Sequence, residues 1–264
     1  MRARSKAGPV VGVIPARWGS TRLPGKSLLP LCGKPLIQWV VERAQRARRL
    51  DRLLVATDDE RIRAAAWAAG AEAVLTRSDH ASGTDRIAEA LRGVEAQTVV
   101  NIQGDEPLIA PRLIDRLAEA LGEGADWDMA TAAGPIESEA DLRAPTVVKV
   151  VFDRAGRALY FSRSPIPFVR DGAPPAGGPT HWRHVGIYAY RRAFLERFVR
   201  ARPCLAERLE KLEQLRALHL GARIKVLRAA APGPGVDAPE DVPRVEALLR
   251  AEGRAERGKR DRGG

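Results

Sequence analysis

Between residues 10 and 121, short apolar runs alternate with segments whose apolar residues recur at helical spacing, and this rhythm constrains the fold more than any other feature. Runs at 10–14, 52–57, 73–75 and 98–102 have the length and β-branched content of buried strands; 35–48, 60–69, 84–91 and 111–121 read as helices between them. Strands so separated are joined by right-handed crossovers, which predicts a mostly parallel, twisted α/β sheet with helices on both faces. Past about residue 130 the rhythm changes. Segments 146–152 and 158–161 flank D-R-A-G and predict a hairpin, too close for a helical crossover. A Pro/Gly-rich loop at 172–179 precedes a strand at 185–190; helices at 192–200 and 206–218, a strand at 223–227 and a helix after Pro239 complete the chain. The expectation is one continuous body over 10–250: a mostly parallel half at 10–130, then an inserted, partly antiparallel portion at 131–250. Residues 1–9 and 251–264 form basic ends expected to be disordered outside it.

The chain has 264 residues, 45% hydrophobic and 29% charged, an ordinary globular balance. Its formal charge of +11 suggests nucleic acid, but more than half of that excess sits at the ends, in Arg2, Arg4, Lys6 and the residues from Arg250 onward. No stripe of interleaved aromatic and basic residues is present, so nucleic acid is not expected as the partner. No run approaches a membrane span, and Val10–Ile14 is too short for a signal-peptide core. Cys32 and Cys204 form neither a C-x-x-C pair nor a Cys/His cluster, which predicts reduced thiols, a cytoplasmic protein and no zinc.

The first strand runs into P-A-R-W-G-S-T-R-L-P-G-K, residues 15–26. Ligands of open α/β sheets bind at the carboxyl ends of strands. Arg17, Arg22 and Lys26 stand here among Gly19, Ser20 and Gly25, residues that let backbone N–H groups approach an anion such as a triphosphate. A P-loop is excluded, since five residues separate Gly19 from Gly25 where four are required, and Pro24 removes a donor.

A second rim loop, N-I-Q-G-D-E-P at 101–107, brings Gln103, Asp105 and Glu106 to the same edge. A carboxylate facing a triphosphate needs a cation between them, and Mg²⁺ takes one or two carboxylates plus phosphate oxygens. Asp105 is the favoured ligand, with a plain turn before Pro107 as the alternative. Asp237, in G-V-D-A-P-E-D, is a second ligand candidate and equally a helix cap. T-R-S-D-H-A-S-G-T-D-R, 76–86, gathers Arg77, His80, Ser82 and Thr84 for a carboxylate and hydroxyls, although Thr84 also suits a helix cap. His184 opens a strand, where a structural role is the commoner one. Glu213 falls about 40° from Leu209 on a continuous helix, in an apolar stripe where a carboxylate is costly unless it meets a ligand.

Taken together, these motifs, with A-L-Y-F-S-R-S-P-I-P, R-H-V-G-I-Y and L-E-Q-L-R, resemble the 3-deoxy-manno-octulosonate cytidylyltransferases, or CMP-Kdo synthetases, in order and spacing from about Val11 to Arg250. The resemblance implies a Rossmann-like nucleotidyltransferase with an inserted sugar-binding and dimerisation portion. It also implies a homodimer that converts CTP and Kdo to CMP-Kdo and pyrophosphate with Mg²⁺, in the cytoplasmic activation of a lipopolysaccharide sugar. By position, Arg17 and Lys26 would hold the triphosphate and Asp105 and Asp237 the metal. Arg77, Gln103, His184, Glu213 and Gln214 would contact the sugar acid. P-C-L-A-E, 203–207, lacks the second proline usual in the family before L-E-Q-L-R, and the basic tail after Arg250 has no counterpart. The sialic-acid-activating relatives usually have S-K-G-I-P-G-K where this chain has S-T-R-L-P-G-K.

Overall fold

The computed structural model describes residues 8–19, 23–122, 126–171, 178–230 and 233–260, with side chains as far as residue 254. The parallel half follows the predicted rhythm: β1 (Val10–Ala16), α1 (Leu36–Ala44), β4 (Arg52–Thr57), α2 (Glu60–Ala68), β5 (Glu72–Leu75), α3 (Gly83–Ala90), β6 (Thr98–Asn101) and α4 (Pro111–Ala120). A small hairpin, β2 (Pro30–Leu31) and β3 (Lys34–Pro35), intervenes before α1. Strands β6, β1, β4 and β5 are neighbours in that order and run parallel. Alternate residues of β1 point to opposite faces: Val11 and Val13 join a core with Ile87 and Leu91, while Ile14 and Ala16 join one with Val40, Ile62 and Ile114. Burial on both faces is why these strands are apolar runs.

The second half contains β7 (Met129–Pro135), α5 (Glu139–Arg143), β8 (Lys149–Phe152), β9 (Ala158–Ser162), β10 (Trp182–Arg191), α6 (Arg192–Arg200), α7 (Leu205–Glu210), α8 (Gln214–His219), β11 (Ile224–Arg228) and α9 (Asp241–Arg260). It does not form a separate sheet. Among the described residues, one nine-stranded sheet runs β11-β7-β10-β6-β1-β4-β5, with the β8–β9 hairpin added beside β10. β10 is antiparallel to both β6 and β7, and β11 is parallel to β7. The carboxyl ends of β1, β4, β5, β6, β7 and β11 therefore share one rim with the start of β10.

Two predicted elements differ in detail. The helix expected over 206–218 is two helices, because Lys211 adopts a left-handed φ of 53° between α7 and α8. Cys204 caps α7: its Sγ accepts the Glu207 N–H at 3.5 Å. At the other end, α9 continues through 251–260, so part of the segment set apart as a tail is helical. Among the described residues no helix is long and apolar enough to cross a membrane, and both cysteines are free.

Candidate active site

The rim encloses a cleft of two lobes, about 700 and 320 Å³, that share Pro15, Gly83, Gln103, Glu213 and Asp237 as walls. Arg17, Lys26, His80, Ser82 and Asp105 line the smaller lobe. His184, Tyr188 and Gln214 line the larger one. Of the phosphate-loop candidates, Arg17 is exposed at the lobe's edge, Gly19 has open space around it, and Ser20 and Arg22 lie outside the described residues.

The loop's two ends are held against each other. Gly25 donates its N–H to the Trp18 carbonyl at 3.1 Å. Gly25 sits at φ 69°, and a Cβ there would come within 2.8 Å of the Trp18 ring. Both the left-handed backbone and the ring contact therefore require glycine. Gly104 is fixed in another way, since a Cβ would stand 2.8 Å from the Pro15 carbonyl oxygen. That close approach of the β1 and β6 ends brings Asp105 opposite Lys26.

Lys26 is the pivot of the smaller lobe. Its Nζ lies 2.6 Å from Asp105 Oδ2 and 3.5 Å from Asp237 Oδ1, so two carboxylates from distant parts of the chain converge on one cation. Their combined field also reaches Glu106. Burial, reinforced by Asp105 and Asp237, raises its carboxyl from 4.5 to about 8. Among the described residues no three His, Cys, Asp or Glu groups form a metal cluster. Two oxygen-only ligands suit Mg²⁺, which completes its shell with phosphate and water. The turn that carries Asp237 is held by Asp241, whose Oδ2 accepts the N–H groups of Asp237 and Ala238 at 2.8 and 2.9 Å.

The loop after β5 divides its residues among several tasks. Ser82 caps α3, its Oγ accepting the Asp85 N–H at 3.2 Å. Thr84, the predicted cap, instead donates its hydroxyl to Glu213 Oε2 at 2.8 Å. His80 pairs with Glu89 through Nε2. Arg77 is not brought to the cleft: its guanidinium is 63% exposed and pairs with Asp79 at 3.0 Å. Glu213 does reach the cleft, but not by the predicted route. The break at Lys211 removes the continuous apolar stripe, Leu209 is exposed, and Glu213 stands at the start of α8 facing Thr84.

In the larger lobe, the R-H-V-G-I-Y motif forms a bulge. Val185 pairs with Ala132 and Tyr188 with Thr131, so β10 carries two extra residues there. The bulged carbonyls are satisfied by side chains: Gln103 Nε2 donates to Gly186 O at 2.8 Å, and the Thr131 hydroxyl lies 2.8 and 3.1 Å from Ile187 O and Val185 O. Since both carbonyls only accept, the Thr131 hydrogen is directed to them and its oxygen is left to accept from His184 Nε2 at 3.0 Å. This network assigns the proton to Nε2 and leaves Nδ1 as an acceptor. Burial takes the His184 imidazole from 6.5 down to about 3, so it is neutral near pH 7. Tyr188 donates to Gln214 Oε1 at 3.3 Å. Lys149, fully buried, holds the adjoining wall by donating to the carbonyls of Ala144, Val147 and Arg163 at 2.7–2.9 Å. Sequence reasoning missed Thr131 and Tyr188; the first lies on a strand of small residues with weak periodicity, and the second is the final letter of a motif noted for its histidine.

Comparison with known proteins agrees with this fold. Residues 11–224 match the cytidylyltransferase family model. The 3-deoxy-manno-octulosonate cytidylyltransferase of Syntrophobacter fumaroxidans is 56% identical over 243 residues, covering 91% of this chain and 96% of the relative. That of Bdellovibrio bacteriovorus is 52% identical over 245 residues, covering 92% and 99%. A solved CMP:2-keto-3-deoxy-manno-octonic acid synthetase, complexed with CTP, superposes with a TM-score of 0.87 at 44% identity, covering 93% of this chain and all of that one. A two-lobed cleft on a nucleotidyltransferase sheet, together with identity of this extent, shows that the chain belongs to the 3-deoxy-manno-octulosonate cytidylyltransferase family.

Proposed function

We propose that the cleft joins CTP to Kdo, giving CMP-Kdo and pyrophosphate, the cytoplasmic activation of a lipopolysaccharide sugar. The observation that carries the reading is the convergence of Asp105 and Asp237 on Lys26 in the smaller lobe, with Asp237 also lining the larger one. The smaller lobe takes the triphosphate, with Arg17 and Lys26 offsetting its charge. The larger lobe takes the sugar acid, whose hydroxyls meet Gln103, neutral His184, Glu213 and Gln214. With Nε2 committed to Thr131, His184 offers Nδ1 as an acceptor.

The anomeric hydroxyl gives up its proton to solvent as its oxygen attacks the α-phosphorus of CTP in line; the bond to the bridging oxygen breaks, and pyrophosphate leaves. Asp105 and Asp237 would hold Mg²⁺. When bound, the ion lowers the pKa of the attacking hydroxyl and offsets triphosphate charge. Lys26 moves from the carboxylates to the phosphates as substrate enters. His184 is not assigned as a base, because a group titrating near 3 is a weak base at neutral pH.

A second copy of the chain would cover Leu159 on β9 and Leu205 and Leu209 on α7, apolar residues left exposed on elements joined by the Ser162–Glu210 hydrogen bond. Sedimentation of wild type and Leu209→Asp tests that dimer; an unchanged sedimentation coefficient in the variant removes this surface from consideration. For the reaction itself, pyrophosphate release is measured with CTP against Kdo, an 8-amino Kdo and sialic acid. Release that depends on Kdo and on Mg²⁺ is expected. A preference for sialic acid, or no release with any acid, refutes the assignment.

A further inference from the structure

We infer that Asp58 and Arg86, which take no part in the proposed chemistry, are positioning residues that fix where the triphosphate loop stands. The inference rests on reading that loop as the phosphate site.

Asp58 follows β4 and spends its two oxygens on two different elements. Oδ1 accepts the Trp18 N–H at 2.9 Å. Oδ2 meets Arg86 Nη2 on α3 at 3.0 Å, with the side chains only 10% and 3% exposed. Arg86 Nη1 continues the chain to Thr76 Oγ1 at 2.6 Å, and the Thr76 hydroxyl donates to Thr57 O at 3.0 Å. One buried network thus ties together the segments leaving β1, β4 and β5, three of the loops that form the rim.

Trp18 passes this position on to Lys26. Its carbonyl holds the Gly25 N–H, its ring lies against Gly25, and Arg61 stacks 3.5 Å from the ring centroid. Lys26 is the next residue. A shift of Trp18 therefore displaces Arg17 on one side and Lys26 on the other. A buried ion pair is a weak source of stability compared with well-packed apolar residues, because desolvation offsets most of the attraction. An apolar pair could not receive the Trp18 N–H. Arg86 also borders the smaller lobe, but Asp58 neutralises it, so its contribution is geometric.

The test uses the full chain with Arg86→Lys, which keeps the charge but loses the fork that spans Asp58 and Thr76, and with Thr76→Val and Thr76→Ser. KM for CTP and for Kdo is measured separately, together with thermal melting and hydrogen exchange at the Trp18 amide. Arg86→Lys is expected to raise KM for CTP roughly ten- to a hundredfold, the order of effect produced by misplacing a binding group by an ångström. KM for Kdo should stay unchanged and Trp18 exchange should accelerate. Thr76→Val should show the same pattern more weakly, and Thr76→Ser, which keeps the hydroxyl, should restore wild-type values. If Arg86→Lys does not fold, Thr76→Val carries the same readouts. A lower melting temperature with both KM values and Trp18 exchange at wild-type levels overturns the inference, as does a parallel rise in both KM values. Wild-type pyrophosphate release tests the reaction itself, and Trp18 exchange needs no CTP, so the two can fail separately.

Discussion

Replacing Asp237 by Asn removes one charge while keeping the shape and two polar atoms of the side chain. Its effect on folding should be small. The Asp237–Lys26 contact is 3.5 Å long and the carboxylate is 55% exposed, so solvent screening limits the pair to about 0–1 kcal/mol. The hydrogen bonds from the Asp237 and Ala238 N–H groups to Asp241, which hold this turn, are untouched. At roughly 2–4 °C per kcal/mol for a chain near this size, the melting temperature should fall by only a few degrees. Catalysis should respond on another scale. Losing one of two carboxylates that would hold Mg²⁺ leaves triphosphate charge poorly offset, and electrostatic groups of this kind contribute about 2.7–4 kcal/mol, or roughly a hundred- to a thousandfold in kcat. Asp105→Asn should lose a similar factor in kcat and more in melting temperature, because its pair with Lys26 is shorter, 2.6 Å, and more enclosed. The assay is pyrophosphate release against Mg²⁺ concentration, run beside thermal melting. Near wild-type turnover and metal dependence in Asp237→Asn would refute the two-carboxylate reasoning and leave Asp105 alone.

Glu213→Gln keeps an acceptor for the Thr84 hydroxyl but removes the charge facing the larger lobe, so KM for Kdo should rise with CTP binding unchanged; equal effects on both substrates would count against the assignment. For His184, the folded-state pKa near 3 lies below the ordinary 6.5, so between these values the unfolded chain binds the extra proton and stability falls as the pH drops from about 6.5 toward 3. His184→Gln should flatten that part of a stability–pH curve, and an unchanged slope would show that the imidazole is not held neutral. Cys32 sits at φ 48° in the β2–β3 turn, a left-handed conformation costly for most side chains and tolerated by Asn. Cys32→Asn should raise the melting temperature by recovering part of the roughly 1–3 kcal/mol that a left-handed backbone costs a non-glycine residue; a lower value would mean that the Sγ contact with the Glu246 carbonyl matters more than the backbone.

The parallel half was legible because each of its strands is an apolar run followed by a polar loop, and strand ends on one rim bring such loops together without any further information. Lys26, Asp105 and Gln103 come to line one lobe for that reason. β7 was not found. Its sequence, M-A-T-A-A-G-P, has little β-branched content, and small residues suffice where it is packed between β10 and β11. Thr131 went unnoticed with it. The break between α7 and α8 was hidden too, since it rests on a lysine in a left-handed conformation with neither glycine nor proline to mark it. Glu213 shows what such an error does: the helical-wheel argument placed it on a stripe that does not exist, while the chain turn that invalidated the argument delivers the residue to the cleft. At Asp237 the sequence left ligand and cap open because a carboxylate just ahead of a helix suits both tasks, and the hydrogen bonds that bind its turn to Asp241 have no signature in the sequence.

β10 gives the molecule a mechanical property that neither half has alone. It pairs with β6 from Arg191↔Thr98 to Tyr188↔Asn101 on one side, and with β7 from Tyr190↔Met129 to Trp182↔Pro135 on the other. The seam between the two halves of the sheet is therefore itself a strand, and swinging one half away as a rigid body would tear the backbone hydrogen bonds that join β10 to β6. Accommodation of each substrate falls on the rim loops. The same shared strand means that neither half is an exchangeable module: an excised nucleotide half would end on an unpaired β6 edge, and an excised sugar half on a β10 stripped of its partner. A change of sugar acid on this scaffold is expected to come through side chains at the β10 bulge and the start of α8, with the sheet between them left intact.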